Sequence, residues 1–261
     1  MKLKDTGERL IVYDDLTNSP HYLRHKIAYV FAEKFIRDKY LLDNGTGSGY
    51  GAYHLATNGA KKVAGVDISK EAIEYARHKY ITQNLEFQTE DSTELSFADE
   101  TFDVLTSFQV IEHIRDIDKF LLEARRVLKK QGVALISTPN KKTYSPNTAD
   151  PENPFHVKEF YLDEFYEPLK TYFDEVEILG ISQSSKVEQF EKSLKLSFRK
   201  RVENLLKKLH LLFLLNMIPK RMVSFFSRHL NKIDISDFSV TNSDIENSLD
   251  FIAICKKHAS K

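Results

Sequence analysis

Three aspartates close three short apolar runs: Asp43 in YLLD (40–43), Asp67 in KKVAGVD (61–67) and Asp91 just after NLEFQTE (84–90). Behind the first lies the turn NGTGSGYGA, with Gly45, Gly47 and Gly49 at spacing two. Such a turn visits positive φ and lets a ligand approach bare backbone, and the helix start behind it favours an anionic group. Asp67 is placed to accept hydrogen bonds from two ribose hydroxyls, Ile68 to cover an adenine face, and Asp91 to receive an adenine amine. Thr46, Ser92, Phe108 and Gln109 fall at the same strand ends and complete the candidate cofactor-binding set. The plainer roles are a helix cap for Asp67 and a turn residue for Asp91. A second group has the chemistry of acid–base work: Glu112 and His113 after a further apolar run, and His156 in a later loop. If a hydroxyl is to react, His113 or His156 is the candidate base, with Glu112 orienting one of them. The plainer roles are packing for His113, a surface ion pair for Glu112 and a loop-anchoring hydrogen bond for His156.

Two nucleoside-bearing cofactors compete for the turn. Gly47, Gly49 and Ala52 match G-x-G-x-x-A, with Asp67 twenty residues beyond Gly47, which is the spacing of a nicotinamide dinucleotide site. A carboxylate at position 43 argues against it, because like charges would meet at the phosphates. S-adenosylmethionine has no phosphate. It carries an ammonium that Asp43 would favour, and a carboxylate that the turn amides would receive.

The elements that must hold these residues alternate along the chain. The runs at 40–43, 61–67, 84–90, 102–108 and 132–138 read as strands. Helical patterns lie between them, at 69–80 with Ser69 as N-cap and at 116–132 with Gly132 as C-cap. That order implies right-handed crossovers and a parallel sheet, with ligands outside the carboxyl ends of its strands. Further strands are expected at 173–180 and 248–255, with a helix near 161–171. The 67 residues between those two strands are too long for a hairpin loop and read as an insertion. The expected division is an N-terminal cap helix region (1–39), a core (40–180 and 246–257) and a basic helical insertion (181–245). In the first of these, Tyr13, His21, Tyr22 and Arg24 are within reach of a ligand.

Composition is that of an ordinary globular chain, 41% hydrophobic and 29% charged, which argues against disorder and against a coiled coil. The single cysteine, Cys255, excludes an internal disulfide framework and sits in a strand-like context, so a cytoplasmic address is the expectation. The N-terminus lacks the apolar segment of a signal peptide, and the run LHLLFLLNMI (209–218) falls short of the roughly 20 residues that cross a bilayer. Net charge is zero but uneven: residues 186–232 carry twelve Lys/Arg against three Glu, so 12 − 3 = +9. Apolar residues recur there at three and four, giving two amphipathic helices separated at Pro219. A substrate lid, a homodimer surface or a peripheral contact with the inner membrane surface fits that pattern. Its aromatics are Phe alone, which disfavours base stacking and hence nucleic acid.

With these motifs together, the chain resembles the class I S-adenosylmethionine-dependent methyltransferases of the type 11 kind over roughly 7–180 and the final strand. LLDNGTGSGYGA looks like the family's first motif and VAGVDIS like its second. FADETFDVLTSFQVIEHIRD and RVLKKQGVALISTPN are similar to its fourth- and fifth-strand segments. The blocks GERL, HYLRHKIAYVFAEKFI, STPN and NPFHVKEFYLDEF are similar to a branch that modifies sugars and polysaccharides. The resemblance implies a Rossmann-like α/β fold, a seven-stranded mainly parallel sheet with helices on both faces. It also implies S-adenosylmethionine as cofactor and O-methylation of a sugar or glycan. Metal-using relatives that methylate RNA ends or quinones read E-x-x-E-H where this chain has Gln109-Val-Ile-Glu112-His113, so no metal is expected. Metal-assisted transfer to RNA or a quinone, a nicotinamide oxidoreductase and a non-catalytic binding module are the alternatives.

Overall fold

The computed structural model describes residue 3 and residues 19–146, 148–193 and 233–258. Tyr40–Asn44 (β1), Lys62–Asp67 (β2), Leu85–Thr89 (β3), Phe102–Phe108 (β4) and Leu128–Pro139 (β5) form the parallel half of one sheet, in the order β3-β2-β1-β4-β5. Glu175–Gln183 (β6), Phe238–Thr241 (β7) and Asp250–Lys256 (β8) complete it. β8 is antiparallel between β5 and β6, and β7 is antiparallel on the far edge of β6. The sheet therefore has eight strands rather than seven. The extra one, FSVT, lies inside the segment read as an insertion and is only four residues long.

Helices cover both faces, which is why the central strands are apolar without alternation. Neighbours on β1 divide between the two layers. Leu41 packs with Pro20–Ile36 (α1) and Tyr50–Thr57 (α2), and Leu42 packs with Ile117–Val127 (α4) and Leu162–Tyr172 (α6). Both are fully buried, each contributing about 2 kcal/mol. Lys70–Lys79 (α3) begins as expected, with the Ser69 hydroxyl accepting from the Ala72 amide. α1 is stopped at its start by Pro20, and Ser19 accepts from the Tyr22 amide.

The helix expected over 116–132 ends at Val127, and Gly132 is a strand residue rather than its cap. Leu128 is drawn into pairing with Phe102, so the chain passes from α4 to β5 without a turn. Cys255 is buried on β8, where burial pushes its thiol up. The basic segment 186–232 falls mostly outside the described residues, as do Pro219 and Tyr13. Among the described residues, no helix is long and apolar enough to cross a membrane.

Gly49 ties the turn to this framework. It sits at φ +85°, and a Cβ there would come within 2.6 Å of the Ala76 Cβ and 2.9 Å of the Phe87 ring. Gly49→Ala is expected to cost about 2 kcal/mol in urea unfolding. An unchanged midpoint would mean that α3 yields at no cost.

Candidate active site

A cleft of about 430 Å³ opens at the carboxyl ends of β1 to β5, within the size range of small-molecule sites. Its wall includes Gly45, Thr46 and Gly47 after β1, Asp67 and Ile68 after β2, Asp91 and Ser92 after β3, and Phe108 and Gln109 at the end of β4. Glu112, His113 and His156 line it too. Two residues of the expected set do not. Gly49 is the N-cap of α2, and Asp43 is 1% exposed beneath the turn.

The enclosure of Asp43 corrects its role. Its carboxylate accepts from the Thr46 hydroxyl at 2.7 Å and from the Thr106 hydroxyl at 2.7 Å, so it braces the turn from below instead of facing an ammonium. Burial raises it to about 6, against the pull of Thr46, Thr106 and Tyr29. The turn amides are likewise occupied. Those of Gly45 and Thr46 donate to the Val66 carbonyl, that of Gly47 to Asp67 at 2.8 Å and that of Gly49 to the Thr46 carbonyl. The expected carboxylate-binding role of these amides is thus taken by the protein itself. What the turn offers is Cα surface, most openly at Gly47, where φ is +55° and a Cβ would meet nothing within 4 Å.

Asp67 uses one lone pair of each oxygen internally, on the Gly47 and Ser69 amides, and leaves the others toward the cleft. Ile68 is 72% exposed at the rim. Asp91 makes the turn contacts of its plainer role, accepting from the Thr93 amide and hydroxyl, while still lining the cleft. The Ser92 hydroxyl donates to Asn44 at 2.7 Å and joins the ends of β1 and β3. Gln109 holds a left-handed backbone, φ +58°, a strained setting for a non-glycine residue. Its side-chain amide donates to Ser137 and Asp250, each at 3.3 Å.

The two histidines are set differently. His113 lies on a short 3-10 turn, Ile111–His113, and its Nδ1 is 2.9 Å from the Phe155 carbonyl. A carbonyl only accepts, so Nδ1 carries a proton, and in the neutral ring the lone pair is on Nε2. His156 has both nitrogens engaged: Nδ1 with Glu159 at 2.9 Å, and Nε2 accepting from the Asn153 amide at 2.9 Å. Burial lowers its pKa, opposed by Glu159. It anchors a loop whose Val157 and Lys158 amides also donate to the Glu112 carbonyl. Glu159 is itself buried, with the Ser145 hydroxyl on its second oxygen. Glu112 orients neither ring, since Phe155 holds one and Glu159 the other. Its Oε2 is buried without a hydrogen-bond partner. The Thr138 hydroxyl nearby is buried without a partner as well. Burial raises Glu112 to about 8, opposed by its own backbone amide, the neighbouring Thr138 hydroxyl and Arg24, with Asp250 pushing up.

Of the α1 residues expected within reach of a ligand, His21 and Arg24 line the cleft and Tyr22 does not, while His25 and Tyr29 are additions. His21, Arg24, His25 and Tyr29 line the cleft from one helix face, and His21 and His25 meet edge to face at 4.5 Å. Their spacing of three and four, on one face of the helix, is the signal that marks them. Arg24 is held to Asp250 of β8 through both oxygens, with Nε to Oδ2 at 2.6 Å, and also donates to the Leu249 carbonyl. The last strand thereby fixes the first helix over the cleft.

A methyltransferase-domain family model matches residues 42–136. A probable S-adenosylmethionine-dependent methyltransferase of Mycolicibacterium smegmatis is 36% identical over 178 residues, covering 67% of each chain. The chain belongs to the S-adenosylmethionine-dependent methyltransferases. A family member of Mycobacterium tuberculosis with the same description is 37% identical over 159 residues, which are 61% of this chain and 57% of that one. The chain thus spans little more than half the length of that relative. A ubiquinone biosynthesis O-methyltransferase of Pelagibacter ubique is 34% identical over 111 residues, 42% of this chain and 46% of that one. A methyltransferase from Thermotoga maritima, described as a possible histamine N-methyltransferase, superposes with a TM-score of 0.57 at 17% identity, covering 90% and 92% of the two chains. That likeness shows the shared fold. Family membership sets the nicotinamide alternative aside and makes S-adenosylmethionine the cofactor. The cleft suits it, with bare Cα surface at Gly47 and free carboxylate lone pairs at Asp67. Asp67→Ala is expected to weaken S-adenosylmethionine binding at least about tenfold by calorimetry, since it removes both the clamp on Gly47 and a charged acceptor. Undiminished affinity would show that the carboxylate serves the turn alone.

Proposed function

We propose that the protein transfers a methyl group to a hydroxyl of a sugar or glycan. The observation that carries this reading is His113, an imidazole at the cleft oriented through Nδ1 by a backbone carbonyl, which leaves Nε2 as the nitrogen available to an acceptor. That is the arrangement of a general base for a hydroxyl. When bound, S-adenosylmethionine supplies an electrophilic methyl group on a sulfonium. The chain's work is then to position the acceptor and take its proton. Phe155 holds the ring of His113, the His156–Glu159 pair holds the loop that carries Phe155, and Arg24 with Asp250 holds α1 across the cleft. The acceptor side is lined by His21, His25, Tyr144 and Asn153 besides the acid–base group. Polar groups of that density favour a polyhydroxylated acceptor over an isoprenoid quinone. The excess positive charge of 186–232 supports a peripheral contact with an anionic inner membrane surface, where a lipid-linked glycan would be met.

A second reading, metal-assisted transfer to RNA or a quinone, has one observation in its favour. Donor atoms of Glu112, His113 and His156 lie within 4.8 Å of one another. A cation there would act as a Lewis acid on the acceptor oxygen. One assay decides between the readings: labelled S-adenosylmethionine offered with nucleotide sugars, lipid-extracted glycans, quinones and RNA, with and without a chelator. Label in a sugar or glycolipid fraction that ignores the chelator supports the first. Chelator-sensitive label in quinone or RNA overturns it in favour of the second.

A further inference from the structure

We propose that a second cavity, walled by α1, α2 and the end of α3, binds an acidic sugar, a puckered ring of hydroxyls that carries a carboxylate or a phosphate. The site lies outside the catalytic cleft, and the proposal goes beyond the reading of His113.

The cavity measures about 310 Å³, at the small end of the range for small-molecule sites. Its wall is largely tyrosine. Tyr22 and Tyr29 come from α1, Tyr50 and Tyr53 from α2, and Tyr80 is the C-cap of α3. Five of the chain's twelve tyrosines thus meet at one place. A tyrosine offers an apolar ring face and a hydroxyl at its tip. A sugar has the matching surfaces, C–H groups on its faces and hydroxyls round its rim. The rings are set at differing angles: Tyr53 and Tyr80 stack at 5.0 Å and 29°, while Tyr50 meets Tyr22 at 55° and Tyr29 at 70°. Such a faceted wall suits a puckered ring better than a flat base, which calls for parallel faces. Tyr53 is 37% exposed, so the stacked pair is reached from solvent.

Charge selects an acid. Lys26 and Lys79 line the cavity, and none of its described lining residues is acidic. The Lys26 ammonium stands 5.6 Å from the centre of the Tyr22 ring, and that of Lys79 stands 5.4 Å from the centre of the Tyr80 ring and donates to the Tyr75 hydroxyl at 2.9 Å. The carboxylate of Glu33 is spent on His54 at 2.8 Å and does not line the cavity. Two ammonium groups on a wall without a carboxylate attract an anion, and a neutral sugar would leave that charge unanswered.

Tyr29 and Tyr50 line the catalytic cleft as well, so their rings are the partition between the two sites. A Cβ on Gly51 would fall 2.0 Å from Tyr29 Cζ, which shows how closely α2 is packed on that ring. Tyr22, Tyr53 and Tyr80 line the second cavity and not the cleft, so they report on it separately.

The experiment uses the full chain labelled with fluorotyrosine and saturated with S-adenosylhomocysteine, so that the catalytic cleft is filled. Tyr22→Phe, Tyr53→Phe and Tyr80→Phe assign the three reporting fluorine resonances. Glucuronic acid, glucose phosphate, glucose and adenosine monophosphate are then titrated. The expected result is a saturable shift at these tyrosines with an acidic sugar and at least about tenfold weaker binding of glucose. Whichever acid binds more tightly identifies the anion as carboxylate or phosphate. Lys26→Ala should weaken that binding about tenfold and Tyr53→Ala about threefold to tenfold, with cofactor affinity unchanged in both. The proposal is overturned if neither acid shifts the resonances, if glucose binds as tightly, or if adenosine monophosphate binds more tightly than both. Wild-type affinity in both Lys26→Ala and Tyr53→Ala overturns it too. Methyl transfer forms no part of the readout, so failure here leaves the reading of His113 as it stands.

Discussion

Replacing His113 by alanine is expected to lower kcat by about 10²–10⁴, the usual worth of a positioned general base, while S-adenosylmethionine binding stays within about twofold. In activation energy that is about 3–5 kcal/mol. The split follows from the contacts: the ring's hydrogen bond goes to the Phe155 carbonyl and its ring neighbour is His156 at 4.9 Å, both remote from the glycine turn in sequence and in role. His156→Ala should behave differently. It removes the link from Glu159 to Asn153, loosens the loop that presents the Phe155 carbonyl, and so acts mainly on KM with a smaller loss in kcat. Single-turnover rates at saturating cofactor measure both. If His113→Ala turns over like the wild type, the assignment of the base fails, and an equal loss in kcat from His156→Ala would move it to the second ring.

The strands and the aspartates at their tips were legible because both signals are local. A short β-branched run ending in Asp before a turn needs no knowledge of the rest of the chain, and Asp67 and Asp91 stand where that pattern put them. Asp43 has the same local signature, yet its direction is decided by Thr106, 63 residues away on the neighbouring strand. No reading of YLLDNG contains that hydroxyl. Gly132 was misread for a related reason: helix termination at Val127 is enforced by the pairing of Leu128 with Phe102, not by a local cap. The partner of His113 is a main-chain carbonyl, which has no residue type to read, and Glu159 gave no motif to connect it with His156. β7 was hidden by its length and by the charged stretch before it. The residues of α1 stood in plain view at helical spacing, but their cleft exists only once Arg24 meets Asp250 across nearly the whole chain.

Glu112→Gln is expected to stabilise the chelator-treated protein by about 3 kcal/mol more at pH 7 than at pH 4.5. The cause is burial, which holds the folded carboxyl at about 8 against 4.5 in an unfolded chain. Between those values the unfolded chain is ionised at this position and the folded one is not, so unfolding releases a proton. Wild-type stability from this group is therefore complete below about pH 4.5, falls as pH rises, and levels off above about 8. Glutamine keeps the shape and does not titrate. Every other ionisable group cancels in the difference between the two proteins, leaving the Glu112 slope alone. Urea unfolding at pH 4.5, 6, 7 and 8 measures it, and parallel curves would mean that Glu112 ionises as freely in the fold as outside it. A bound cation would reverse the trend by holding the carboxylate ionised, so the same series without chelator, with magnesium or zinc added, tests the metal reading through stability rather than turnover. Loss of the slope only when metal is present would make Glu112 a ligand. A slope indifferent to metal would mean that Glu112 holds no cation.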